Sequence, residues 1–215
     1  RLLRAEDAPE VKNHVIVSVR QQKLMLLQNG ARIAIYPIST SKFGVGDGSG
    51  TMTTPIGAMA VAQKIGDHAP IGAVFHNRRF TGEILKPNAP GRDPVITRII
   101  WLRGLEASTA RAFSRCIYIH GTPEERRIGR PASYGCIRMK SKDVAALYSQ
   151  LPLGSLVQVV PDKLPNVPKA RVIYQVPVPD VPVEKNKPPD PLAKSPNPPN
   201  DTSADSRTTR LAKKV

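Results

Sequence analysis

The stretch HVIVSVRQQKLMLLQNGARIAIYPI, residues 14–38, sets the fold class. At its start, four of the six residues HVIVSV are β-branched, and two apolar runs follow at 23–27 and 32–38. Asn29 and Gly30 separate these two runs, and Asn-Gly between apolar segments is typical of a two-residue β-hairpin turn. The stretch therefore predicts three consecutive strands, the last two of which form a hairpin.

The sequence as far as residue 161 continues this pattern. Further apolar or alternating segments predict strands at 57–65, 95–102, 116–120 and 156–160. One segment, 141–151, has apolar residues at spacings of three and four, which indicates a helix. We expect one domain over 12–161 that is mostly β with short helices (α+β).

The composition changes after this domain. Twelve of the 22 prolines fall between residues 161 and 200. Proline removes a backbone donor, and such a segment has little apolar surface to bury. Residues 162–215 are therefore predicted to be a basic, Pro-rich and disordered tail, which acts as a spacer, a docking segment or a solvated end without a specific partner.

The net charge of +15 predicts attraction to polyanions, which include nucleic acid, anionic lipid and acidic cell-wall polymer. Only 5% of residues are aromatic, and no nucleic-acid-reading motif is present, so nucleic acid is not the expected partner. No apolar run is long enough for a transmembrane helix. The four scattered histidines and two cysteines match no metal-binding pattern, and we expect no metal and no cofactor.

One cysteine stands where chemistry is expected. Cys136 lies in the polar turn SYGCIRM, residues 133–139, whereas Cys116 lies in an apolar run typical of a buried cysteine. A nucleophilic thiol needs a base, and His120 ends the predicted strand CIYIH and precedes a turn. A polar loop between the two residues is long enough to bring them together. On spacing alone, a structural cysteine and a strand-capping histidine remain an equal alternative.

The neighbours of this pair supply the remaining parts of a site. Backbone N–H groups of Ser133, Tyr134, Gly135 and Cys136 form a candidate oxyanion hole, since glycine permits unusual backbone geometry. No carboxylate is suitably spaced to orient the imidazole, so the carbonyl of Gly121 is the expected partner.

Two further residues are candidates for substrate binding. For Arg138, three roles stay open: binding a substrate carboxylate, lowering the pKa of the thiol, or bracing the loop. Tyr118 alternates with His120 and faces either the site or the core.

These residues carry a resemblance to a known family. YIHGT (118–122) followed by SYGCIRM (133–139) resembles the signature of the L,D-transpeptidase catalytic domain, the YkuD family: His-Gly, about a dozen variable residues, then Ser-x-Gly-Cys-aliphatic-Arg. TPIG (54–57) and the opening hairpin are similar too. The resemblance covers roughly residues 12–160. Tyr134 departs from it, because the family very often has histidine at that position.

The resemblance implies a catalytic domain built on a curved β-sheet or sandwich of the L,D-transpeptidase type, and an acyl transfer without a cofactor. The Cys136 thiolate would attack the carbonyl of the third residue of a peptidoglycan tetrapeptide stem, with His120 as the proton acceptor, and release D-alanine. An amine of a second stem or of an anchored wall protein would then take the acyl group. The family also implies export to the periplasm or cell wall, and the chain, which begins at Arg1, carries no visible signal.

Two alternative functions remain at this point. Water in place of the acceptor amine gives an L,D-carboxypeptidase acting on the same stems. A non-catalytic protein that binds a polyanion or the cell wall would need only the positive charge.

Overall fold

The structure, a computed structural model, describes residues 12–170. These residues form ten strands, one α-helix and two short 3-10 helices, at Ala107–Thr109 and Glu125–Arg127. In chain order, the elements are β1 (Asn13–Ser18), β2 (Lys23–Gln28), β3 (Ala31–Ser39), β4 (Gly57–Ile65), β5 (Ala73–His76), β6 (Arg79–Ile84), β7 (Val95–Gly104), β8 (Tyr118–Gly121), β9 (Ile137–Met139), α1 (Ser141–Gln150) and β10 (Leu156–Val160). The prediction of a mostly β fold with little helix is confirmed.

All ten strands belong to one curved sheet. Their order is β4-β10-β1-β2-β3-β9-β8-β7-β5-β6, and β4 also pairs with β7. This second pairing closes eight strands into a ring, and the β5–β6 hairpin extends from the first half of β7. Most neighbours are antiparallel, but β1 pairs with β10, and β8 with β9, in parallel.

The predicted Asn-Gly hairpin is confirmed. Asn29 and Gly30 are the only residues between β2 and β3, and their φ values are 49° and 80°. Positive φ at both central residues defines the type I′ turn, whose twist matches that of the paired strands. The turn sets the first two pairs, and a bulge between Leu27 and Leu26 then shifts the register by one residue.

The main hydrophobic core lies inside the ring. The apolar face of α1, which includes Val144, Leu147 and Tyr148, packs there against aliphatic side chains of β1, β2, β7, β8, β9 and β10. The helix packs on β7 and β8. Its first residue is Ser141, whose backbone N–H donates to the Glu125 carboxylate at 2.9 Å. This carboxylate satisfies one of the free donors at the helix N-terminus.

Four details differ from the sequence analysis. The turn-rich region 66–94 contains the β5–β6 hairpin, which was not predicted because every residue of β6 is exposed and shows no apolar alternation. Strand β9 was missed because it has three residues. Strand β8 begins at Tyr118 and not at the predicted residue 116, because Cys116 has a left-handed φ of 56°, which is incompatible with a strand. Cys116 is half-buried instead of fully buried.

The segment after β10 continues along the domain as far as the structure describes it. Ser18 Oγ donates to the carbonyl of Asp162, and the backbone of Arg32 exchanges hydrogen bonds with Pro168 and Ala170. Residues 162–170, assigned by sequence to the tail, thus run along the domain from the end of β1 to Arg32 of β3. The rest of the predicted tail, 171–215, lies outside the described residues, and its disorder stays a prediction.

Candidate active site

Cys136 lies immediately before β9 and beside Tyr118 of β8. The Tyr118 N–H donates to Sγ at 3.4 Å, and the thiol donates to the carbonyl of Cys116 at 3.3 Å. Cys136 is half-buried and packs against a small apolar cluster that includes Phe75 and Ile99. The thiol thus combines partial access from solvent with a mostly apolar surrounding.

His120 is buried in β8, with 5% of its surface exposed. Its Nδ1 lies 2.7 Å from the carbonyl oxygen of Gly121. A carbonyl only accepts, so Nδ1 carries the proton and Nε2 is left as the basic nitrogen. The structure therefore has the backbone carbonyl that the sequence analysis expected as the orienting partner. A Cβ on Gly121 would come within 2.7 Å of another carbonyl, that of Ile96, so the position is sterically restricted to glycine.

The parallel pairing of β8 with β9 brings the thiol and the imidazole to one face. Ile119 pairs with Ile137, and His120 pairs with Arg138. Because side chains alternate along a strand, Cys136 shares the face of Tyr118 and His120, two positions from the latter. Within residues 12–170, no hydrogen bond joins Sγ to the imidazole: each is bonded to a backbone carbonyl instead.

Ser133 and Gly135 shape the turn that precedes the thiol. Ser133 Oγ donates to the Cys136 carbonyl at 2.6 Å and accepts the Gly135 N–H at 3.3 Å. Gly135 has a φ of 124°, which residues with a side chain rarely adopt. Its carbonyl accepts a hydrogen bond from Thr54 Oγ1 at 3.0 Å. Thr54 belongs to the TPIG segment, whose role in holding this turn was not predicted.

The side chain of Tyr134 lies at the surface, away from the buried imidazole. It is 60% exposed, and its ring centroid is 5.7 Å from that of Phe43. The Lys42 ammonium lies 4.4 Å from the ring centroid and 3.1 Å from the hydroxyl. Tyr134 therefore contributes its backbone to the turn and its ring to an exposed aromatic pair.

Arg138 is 2% exposed and is held by acidic residues. Its Nη1 donates to carboxylate oxygens of Asp93 and of Glu124, the latter at 3.2 Å. Asp93 also accepts from Thr122, so the network fixes the chain next to Gly121. Nε and Nη2 of Arg138 are buried and have no partner within the described part of the chain. The contacts and the burial thus favour a bracing role for Arg138.

Burial shifts both reactive groups toward their neutral forms. It raises the pKa of the Cys136 thiol to about 11, although the positive charges of Arg138 and Arg115 act in the opposite direction. It lowers the pKa of His120 to about 4. At neutral pH the resting pair is therefore a thiol and a neutral imidazole, and the proton leaves sulfur only as a new bond forms.

Arg115 is a functional candidate that the sequence analysis missed. Its guanidinium donates to the carbonyls of Gly46, Thr51 and Thr53 and to the Asp47 carboxylate, at 2.7–3.1 Å. These bonds hold the Gly-rich loop of residues 44–54 beside the Cys136 turn. The partners lie 62 to 69 positions away, which is why no local pattern indicated them.

Neither a metal cluster nor a membrane-spanning helix is found where the chain is described. Within residues 12–170, no three His, Cys, Asp or Glu side chains gather in a way that would hold a metal ion. No helix in this range is long and apolar enough to cross a membrane.

Comparison with known proteins identifies one family. Residues 12–159 match the L,D-transpeptidase catalytic domain, YkuD. The chain is 25% identical over 176 residues to the probable L,D-transpeptidase YcfS of Escherichia coli K12, a match that covers 79% of this chain and 51% of that protein. It is 26% identical over 149 residues to the putative L,D-transpeptidase YqjB of Bacillus subtilis 168, covering 69% and 72% of the two chains.

The chain thus spans about half the length of the E. coli relative. Among solved structures, an L,D-transpeptidase from Mycobacterium tuberculosis H37Rv superposes with a TM-score of 0.47 at 17% identity, covering 70% of this chain and 58% of that one.

Proposed function

The chain belongs to the L,D-transpeptidase (YkuD) family, and from this premise we propose that it is a cysteine acyltransferase acting on peptidoglycan tetrapeptide stems. The observation that carries the proposal is the pairing of β8 with β9, which sets a thiol and an imidazole with a free Nε2 on one face of two adjacent strands.

In the first half-reaction, Cys136 Sγ attacks the carbonyl carbon of the third stem residue. His120 Nε2 accepts the thiol proton during the attack, because neither group is charged beforehand. Backbone N–H groups of Tyr134 and Cys136 stabilise the tetrahedral oxyanion, because the Ser133 N–H donates to the Thr40 carbonyl and the Gly135 N–H to Ser133 Oγ. The positive φ of Gly135 gives the turn its geometry. The intermediate collapses to a thioester as the D-alanine amine leaves with the proton from His120.

In the second half-reaction, an amine attacks the thioester carbon. His120 takes a proton from the amine and returns it to sulfur as the thioester breaks, so the thiol is regenerated. The proposed acceptor is a second stem or an anchored wall protein. The positive charge of the chain suits this substrate, since stems carry free carboxylates, and the proposed location is the periplasm or cell wall.

Among the supporting residues, we assign bracing to Arg138 and backbone roles to Tyr134 and Gly135. The buried ion pairs of Arg138 fix the strand that follows the nucleophile, and its charge lowers the pKa of the thiol. Its two unpartnered nitrogens are buried, which also favours bracing over contact with substrate. The Tyr118 backbone N–H bonds the thiol, and Tyr118 also lines a cavity, which supports contact with substrate.

Incubation of purified protein with a disaccharide-tetrapeptide tests the proposal. A product with the mass of two tetrapeptide units minus one D-alanine reports transfer, whereas a tripeptide monomer reports hydrolysis and favours the L,D-carboxypeptidase. Both products should be lost in Cys136→Ala. If the wild-type protein forms neither product but is itself retained on sacculi, the result would favour a non-catalytic wall-binding protein.

A further inference from the structure

The tip of the β5–β6 hairpin carries an arginine that the mechanism does not use. Asn77 and Arg78 form the two-residue connection, with φ values of 48° and 65°. This left-handed turn directs the exposed Arg78 side chain back over the sheet. Its guanidinium carbon lies 4.9 Å from the centroid of the Trp101 ring, and Nη1 lies 3.4 Å from Tyr118 Oη.

Arg78 is held only by uncharged groups. Its contacts are the face of Trp101, the Tyr118 hydroxyl and, at 3.9 Å, the sulfur of Cys116. Within residues 12–170, no carboxylate pairs with it, whereas Arg115 and Arg138 are both neutralised by acidic partners. A guanidinium positioned by stacking on an aromatic ring keeps its charge and its donor fork for an anion.

A cavity of about 270 Å³ opens beneath this arginine. Its lining residues are Phe75, Asn77, Arg78, Val95, Ile99, Cys116 and Tyr118. Apolar side chains form most of the wall, and polar donors are concentrated at the end formed by Arg78 and the Tyr118 hydroxyl. Burial raises the pKa of Tyr118 to about 12, so the hydroxyl remains a donor at neutral pH.

Tyr118 links the cavity to the nucleophile, which is not itself a lining residue. Tyr118 donates its backbone N–H to Cys136 Sγ at 3.4 Å, and its hydroxyl lies 3.4 Å from Arg78 Nη1. Cys136 also packs against the apolar cluster that lines the cavity, so a substrate acylated on the sulfur lies beside this wall. An apolar cavity that holds a small number of polar groups at fixed positions is typical of a site that determines substrate specificity.

We propose that Arg78 is a specificity-determining residue that binds a carboxylate of the donor stem in this cavity, with the Tyr118 hydroxyl as second donor. The inference rests on the proposed function and adds to it the recognition of the donor. Two carboxylates have this chemistry: that of the terminal D-alanine, and that at the side-chain end of the third residue in stems where this residue carries one.

The test compares three donors: the unmodified disaccharide-tetrapeptide, the same compound amidated at D-alanine, and the same compound amidated at the third residue. Initial rates of D-alanine or D-alaninamide release give kcat/KM for each. The variants are Arg78→Gln and Arg78→Lys, which keep a Cβ at the left-handed position and so leave its strain unchanged. Arg79→Gln, in the same hairpin and without a contact to Tyr118 or Trp101, is the matched control.

We expect the wild-type enzyme to prefer a carboxylate over the amide at one of the two positions by about tenfold, a charge-assisted hydrogen bond at an exposed site. In Arg78→Gln this ratio should fall to near one, mainly through a higher KM. Arg78→Lys should keep part of the preference and Arg79→Gln all of it. The position at which the preference disappears identifies the carboxylate.

Two results separate this inference from the proposed function. In the first, the wild-type enzyme turns over the unmodified donor, but either Arg78→Gln retains the full preference for the carboxylate or the wild-type enzyme itself shows no such preference. This result would overturn the role of Arg78 and leave the proposed transpeptidase function intact. A wild-type protein that releases D-alanine from none of the donors would overturn both.

Discussion

The Cys136 thiol should ionise only well above neutral pH in the free enzyme. Burial raises its pKa from 9.0 to about 11. A shift of two units corresponds to about 3 kcal/mol in favour of the neutral form, and the thiolate population at pH 7 falls about a hundredfold. His120 is not a cause of this shift, since its own pKa of about 4 keeps the ring uncharged. We therefore expect the same thiol pKa in a His120→Ala variant.

Alkylation by iodoacetamide measures this pKa. The protein is exposed briefly to reagent at pH values from 5 to 12, quenched, digested with trypsin and analysed by mass spectrometry. Arginines lie between Cys136 and Cys116, so the two cysteines fall on separate peptides and are followed independently. The urea-unfolded protein is the control, in which Cys136 should titrate near the ordinary thiol value. The folded protein should give a Cys136 midpoint near 11.

A different profile would refute this reasoning. Rapid, pH-independent alkylation of Cys136 between pH 5 and 8 that disappears in His120→Ala would indicate a preformed thiolate–imidazolium pair. Proton transfer would then precede substrate binding, and the uncharged resting pair described above would be wrong.

Three further predictions concern stability. His120 protonates near pH 6.5 in the unfolded chain, but only near pH 4 in the folded protein, because burial lowers its pKa. The free energy of unfolding in urea should therefore fall by about 3 kcal/mol as the pH is lowered from 6.5 to 4. The His120→Gln variant should lack this part of the pH dependence. Arg138→Met removes the buried cation from Asp93 and Glu124 and should cost about 3 kcal/mol, against less than about 0.5 kcal/mol for Arg127→Met, which removes only an exposed pair with Glu124. Gly135→Ala strains a φ of 124° next to a carbonyl, so Tm and acyl transfer should both fall, whereas Gly129→Ala, strained but in open space, should lower Tm and keep transfer.

Each of these three predictions has an outcome that would contradict it. For Arg138 and Arg127, the burial argument fails if the two methionine variants unfold at the same urea concentration. For Gly135, retained transfer by the folded alanine variant would mean that the turn geometry does not serve the reaction. For His120, an unchanged pH slope in the glutamine variant would assign the acid sensitivity to other groups.

Sequence reasoning succeeded where structure is determined locally. The hairpin at Asn29 follows from a dipeptide, and α1 follows from its apolar spacing. The β5–β6 hairpin has the same type of two-residue turn, but its tip of Asn77 and Arg78 lacks glycine, and β6 has no buried face to reveal its period. A strand fully exposed to solvent leaves no hydrophobic pattern to detect.

The site divides in the same way. The roles expected of Cys136 and His120 follow from the chemistry of a thiol and an imidazole and from the position of His120 at a strand end. The Gly121 carbonyl was expected as the partner of the imidazole because no carboxylate is suitably spaced in the sequence. The clamp made by Arg115 and the pairing of Arg138 with Asp93 join positions far apart in the chain. Such long-range contacts depend on the closed sheet, and one sequence contains no local signal for them.

The central claim, that Cys136 is the acylated nucleophile, is tested most directly by covalent labelling with a carbapenem. The account predicts one adduct per chain on the tryptic peptide that contains Cys136, and none in Cys136→Ala. An adduct on the Cys116 peptide, or no adduct on a folded protein, would contradict it.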